Sequence, residues 1–200
     1  TYTVTNPLSI NTSNFELSGN GKNNTTLNFS GGHNGVLVGD TAIIDRVTLR
    51  DFRVLGLTTG AFQVGVRFDR GLNHWARNIW VENTGDSAFY IRTSNITIQN
   101  CAAVNCGHGL TGNDTAESNP DNAVIQNCYF RDTNSTPLAG VREMVYVTGN
   151  GIKLLNNYIE TGMTELNVTH TNGTAFTRSG TITGGTSGAT GIVYLTMDPN

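Results

Sequence analysis

One six-residue phrase returns five times along the chain: VTLRDF (47–52), IWVENT (79–84), ITIQNC (96–101), AVIQNC (123–128) and IKLLNN (152–157). Apolar residues stand first and third, polar residues alternate with them, and Asp or Asn stands fifth. Alternation with period two predicts a strand with one buried face. An Asx side chain at an inward fifth position then needs hydrogen-bond partners, because a buried amide without them is costly. Coils stacked about 4.8 Å apart supply those partners, each amide bonding to the next and to the turn backbone. Asn also tolerates the left-handed backbone of a sharp bend. After the bend the alternation changes phase, so that Phe52 and Val54, Cys101 and Ala103, and Cys128 and Phe130 point inward.

The intervals between Asp51, Asn83, Asn100, Asn127 and Asn156 are 32, 17, 27 and 29 residues. Repeats built on helices keep their period, whereas a solenoid of parallel strands admits loops of any length between strands. The expected fold is all-β, a right-handed parallel β-helix of about five to seven coils. A β-sandwich shares the alternation but leaves the Asx series without a reason. A second strand column precedes the phrases: GVLVG (35–39), FQVGVRF (62–68), AFYIR (88–92), HGLTG (108–112) and MVYVT (144–148). The domain reading is an N-terminal opening coil or cap at 1–35, β-helix coils at 36–161, and a C-terminal β segment rich in Gly, Thr and Ser at 162–200.

Charged residues form only 14% of the 200-residue chain, against roughly 25% in ordinary soluble domains. Asn, Thr, Ser and Gly take their place, as in turn-rich extracellular or virion proteins. A net charge of −3 gives no electrostatic footprint for nucleic acid. No apolar run approaches the roughly 20 residues of a membrane span, so no membrane insertion is expected. Thr1 lies in YTVT with no signal-peptide pattern, as expected of a mature form or an excised piece. Cys101, Cys106 and Cys128 form neither zinc-like pairs nor an even disulfide set, so buried free thiols are expected, with no metal and no cofactor.

Two resemblances add to this reading. FELSGNG followed by TTLNF (15–29) resembles the opening of the pectate-lyase-like superfamily, and GGTSGATG (184–191) resembles a small β-repeat of phage tail and virion proteins. Gly85-Asp86, Gly107-His108-Gly109 and Val141-Arg142 resemble the GDD, GHG and RIK motifs of polygalacturonase-like glycoside hydrolases, at separations of 22 and 34 residues. That resemblance implies Asp86, His108 and Arg142 as catalytic groups stacked on one face. The sequence departs from it where chemistry needs it most. Ser87 stands for the second Asp, Glu143 and Met144 follow the Arg, and TTGAFQV replaces the Asp-bearing NTD. An inverting glycosidase needs two carboxyl groups on opposite sides of the bond, which Asp86 alone does not supply.

Two further stretches, 69–77 and 112–121, read as long loops leaving one corner on either side of the short turn at Thr93-Ser94. They predict a glycan groove in which Trp75 and His74 offer a flat face and Asp69, Asp114, Glu117 and Asp121 accept hydroxyl hydrogens. The bland alternative has Trp75 packed down on the coil and the acidic loop merely solvated. The functional expectation is a virion tail spike or tail fibre component, a homotrimer that binds a host cell-surface polysaccharide alongside other tail proteins. The alternatives are a secreted polysaccharide-degrading enzyme, hydrolase or lyase, and a non-catalytic structural or adhesive β-helix.

Overall fold

The structure, a computed structural model, describes residues 1–31, 33–56, 63–112, 120–131 and 144–160, and beyond these only the strands at 181–183 and 190–192. The chain winds as a parallel β-solenoid, and its alternating sequence explains the winding. Each short strand buries every second side chain, and its backbone is satisfied only by the coils before and after it.

Strands β1 (Tyr2–Val4), β2 (Leu8–Ile10), β3 (Glu16–Ser18) and β4 (Thr26–Phe29) open the stack. The next coil holds β5 (Val36–Val38), β6 (Ile44–Asp45), β7 (Thr48–Arg50) and β8 (Arg53–Leu55). It is followed by β9 (Val66–Phe68), β10 (Gly71–Leu72), β11 (Trp75–Arg77) and β12 (Trp80–Glu82). Three coils of three strands come after: β13 (Ser87–Ile91), β14 (Thr97–Gln99) and β15 (Ala102–Val104); β16 (His108–Gly112), β17 (Val124–Gln126) and β18 (Tyr129–Arg131); β19 (Val145–Val147), β20 (Lys153–Leu155) and β21 (Tyr158–Glu160). Strands β22 (Thr181–Thr183) and β23 (Thr190–Ile192) form a separate antiparallel pair.

Stacking gives three long sheets. Sheet one is β2-β5-β9-β13-β16-β19, sheet two β3-β7-β11-β14-β17-β20, and sheet three the seven-stranded β1-β4-β8-β12-β15-β18-β21, with β6 and β10 as a short fourth side. Pairing within the three long sheets is parallel throughout. The second strand column read in the sequence is sheet one.

The corners are made by left-handed residues. Between sheets two and three they are Asp51 (φ 62°), Asn78 (53°), Asn100 (53°), Asn127 (54°) and Asn156 (52°). Asn78 takes the place the sequence reading gave to Asn83. Asn83 (57°) belongs with Asn105 (56°) to a second corner, after sheet three, where the Asn105 amide donates to Asn83 Oδ1 at 2.5 Å. A third corner, before sheet two, carries Arg46, Asn73, Asn95 and Asn122. The expected inward ladder is corrected too: Asn78, Asn100, Asn127 and Asn156 are exposed. The αL backbone turns the next residue inward instead, and Phe52, Ile79, Cys101 and Cys128 are buried. The Asx side chains face outward and tie coil to coil, as in Asn78 Nδ2 to Asp51 Oδ1 at 2.8 Å.

The core is a set of in-register columns, such as Leu49, Ala76, Ile98 and Ile125. The three cysteines are buried free thiols, and burial pushes Cys101 up and Cys106 to about 11. In the later coils of sheet one two successive residues are buried, as in Ala88-Phe89 and Gly109-Leu110, so the strands bend there. A Cβ on Gly109 would stand 2.8 Å from both Met144 O and the Phe130 ring.

Candidate functional site

The bend in sheet one carries the residues of the glycosidase-like motifs. Asp86 lies in the turn before β13 and donates its amide hydrogen to Gln63 O at 3.0 Å, while the His108 N–H donates to Asp86 O at 3.0 Å. Across the sheet His108 is in register with Ser87 rather than with Asp86. Ser87 is fully buried, although its side chain lies on the outer side of the strand. Its hydroxyl sits 2.8 Å from Thr111 Oγ1 and 3.2 Å from Asp86 Oδ1, because the bend folds the outer sides of β13 and β16 toward each other. Among the described residues the crease therefore brings together the Asp86 carboxylate and the Ser87 and Thr111 hydroxyls, with His108 in register beside Ser87. Arg142 lies outside the described residues.

The stretch 69–77 is strand rather than loop. Gly71 and Leu72 pair with Ile44 and Asp45, and Trp75–Arg77 runs inside sheet two. Asp69 is buried, with its Oδ2 accepting from Arg67 Nε at 2.6 Å and its Oδ1 3.5 Å from Arg92 Nη1. Arg67 also reaches Asp40 at 3.3 Å, so one guanidinium joins two carboxylates. These pairs bind neighbouring coils and leave Asp69 closed to solvent. Asp121 receives the Asn150 amide hydrogen at 2.5 Å and shapes its turn. Asp114 and Glu117 lie outside the described residues.

His74 and Trp75 point in opposite directions because neighbours in a strand alternate. His74 is fully buried, in the inward column between Val47 and Ile96. Its Nδ1 accepts the Val47 amide hydrogen at 3.3 Å, its Nε2 faces Arg70 O at 3.4 Å, and its ring stacks on Phe68. Burial lowers its pKa from 6.5, so the ring is neutral, with its proton on Nε2. Trp75 stands outward with 56% of its surface exposed. In register on either side are the short side chains of Thr48 and Thr97, which leave the indole proud of the sheet.

The next outward column of sheet two is Arg50, Arg77, Gln99 and Gln126. Arg50 is held by Glu16 at 2.6 Å and Asp51 at 2.7 Å. Arg77 is exposed and in no ion pair among the described residues. Sheet two thus presents an open indole beside a row of hydrogen-bonding side chains repeated at the coil spacing, about 4.8 Å. The sequence reading missed the two glutamines as surface partners. Their alternation with Ile98 and Ile125 was the available signal. Among the described residues no group of three His, Cys, Asp or Glu side chains could hold a metal ion.

No protein-family model matches the chain, and no curated protein matches it. A solved structure does, ORF18 of Geobacillus virus E2, with a TM-score of 0.54. The likeness is to a phage protein. Identity is 17% over 78% of this chain, which establishes a shared fold and nothing finer. The chain spans 38% of that structure's length.

Proposed function

We propose that this chain is part of a phage tail spike or tail fibre in which a trimeric β-solenoid binds a host cell-surface glycan along the outer face of sheet two. The observation that carries the reading is the 56% exposed Trp75, set between two threonines on a flat face. A pyranose ring has an apolar C–H face that matches an indole, and its hydroxyls match the Arg77, Gln99 and Gln126 row. The phage neighbour supports the virion setting, and the GGTSGATG segment adds to it. Binding without cleavage is supported by the sheet-one crease, where among the described residues Asp86 is the carboxylate nearest the motif position and Ser87 stands where the glycosidase-like motif has its second Asp.

The test is retention on immobilised host capsule or lipopolysaccharide. Trp75→Ala removes a contact of roughly 80 Å², about 2 kcal/mol or 30-fold in affinity, while the thermal midpoint stays close to wild type because the ring is outside the core. A variant that binds as the wild type does sinks the proposed face. New reducing ends or unsaturated uronate absorbance in the same incubation would transfer the reading to a degrading enzyme. Mass in solution tests the trimer, and a stable monomer counts against a tail spike.

A further inference from the structure

In every coil after the first, two residues close the corner between sheets two and three, as Asp51 and Phe52 do between β7 and β8. In the first coil, residues 19–25 take that place. This longer corner is a built element. Gly21 turns it at φ 100°, the amides of Gly19 and Gly21 donate to Arg50 O at 3.0 Å and Asp51 O at 2.8 Å, and Thr25 Oγ1 accepts from the Asn20 amide at 2.9 Å. It overhangs the corners of the following coils and flanks an open depression of about 370 Å³, which Asp51, Asn78 and Asn100 line from below. That is the scale of small-ligand sites.

The chemistry of the lining is specific. Asp51 is already engaged, by Asn78 Nδ2 on one oxygen and Arg50 Nη1 on the other, and these donors hold its carboxyl below the usual range. Lys22 extends past the neighbouring coil until its ammonium lies 4.5 Å from the centre of the Trp80 ring, and it has no carboxylate partner among the described residues. Arg77, one residue before Asn78, makes no ion pair among the described residues, but its charge acts on Asp51 from outside the lining. The amide oxygen of Asn78 and the side-chain amides of Asn23 and Asn100 keep their hydrogen-bonding capacity among the described residues. The corner therefore combines the Lys22 ammonium and an Asp51 carboxylate already held by Arg50 and Asn78 with spare amides that can both donate and accept.

We infer that this corner is a saccharide subsite for a sugar ring bearing an anionic substituent. The anion lies toward Lys22, and ring hydroxyls meet Asn78, Asn100 and Asn23. The inference rests on the glycan reading above and adds to it the charge of the ligand, since the corner continues the same outer face that carries Trp75.

The experiment titrates ¹⁵N-labelled protein with glucuronate, glucose 6-phosphate, glucose and inorganic sulfate, following the side-chain amide signals of Asn78 and Asn100. Glucuronate or glucose 6-phosphate is expected to move them, and the comparison of the two identifies the anion. Glucose and sulfate alone are expected to move them far less. Lys22→Gln weakens the response roughly three- to fivefold, as an exposed charge contact should, and added salt weakens it in the wild type. Trp75→Ala leaves this titration unchanged while it lowers retention on polysaccharide, so the corner and the wider face fail separately. An equal response to glucose, an equal response to sulfate, no response to either acidic sugar, or a Lys22→Gln protein that titrates like the wild type would each overturn the inference.

Discussion

Replacing His74 with Leu separates two effects that one buried ring combines. The imidazole stands in an aliphatic column, where Leu fits, but Nδ1 is the acceptor of the Val47 amide hydrogen at 3.3 Å. Above neutrality, Leu leaves that N–H buried without a partner, at a cost of about 1–3 kcal/mol. As pH falls the comparison changes. Burial holds the folded-state pKa of His74 below 6.5, so between those two values the unfolded chain binds a proton that the folded chain refuses. Wild-type stability then falls by about 1.4 kcal/mol per pH unit below 6.5. The Leu variant lacks this loss, and titrations shared by both proteins cancel in the difference. Denaturant unfolding of the two proteins at intervals from pH 7.5 to 5 should show the wild type ahead at the upper end. Its lead should shrink as the pH falls below 6.5. A stability difference that does not change with pH would refute the assignment of His74 as a buried neutral group.

Two further substitutions probe the scaffold. Asn127 sits at φ 54°; Asn127→Val is expected to lose about 1–2 kcal/mol in thermal or denaturant unfolding, whereas Asn127→Gly stays near wild type. Gly109→Ala places a Cβ 2.8 Å from Met144 O and from the Phe130 ring, and it should cost about 1–3 kcal/mol, although Ala88 occupies the same column one coil earlier.

The parallel solenoid was legible because most coils write it plainly. ITIQNC and AVIQNC put apolar side chains inward, Asn at the αL corner and Cys just beyond, and the structure stacks them in register. The coil at 73–82 hid the same pattern. Its inward positions hold His74 and Ala76 while Trp75 faces solvent, so hydrophobicity and burial run in opposite senses, and the phrase is displaced from HWARNI to IWVENT. Asn83 then took the place of Asn78, and a strand read as a loop. Asp69 reads as a surface acceptor in sequence because Arg92, which covers it from the next coil, is far along the chain, although Arg67 two residues before it was a legible partner. The corner subsite left a trace in SGNGKNN (18–24), a turn longer than the others. Its meaning depends on which asparagines the winding brings beneath it.

The parallel pairing of the three sheets gives the molecule a mechanical polarity. Its interstrand hydrogen bonds run along the long axis, each coil bonded to the next through short strands such as Thr97–Gln99 on Val124–Gln126. A pull on the two ends loads those bonds directly and in series, so the rod yields by shedding one terminal coil at a time. A push presses closed loops of backbone and filled core columns against one another, and nothing in the stack shears. An object built this way bears a thrust far better than a tug.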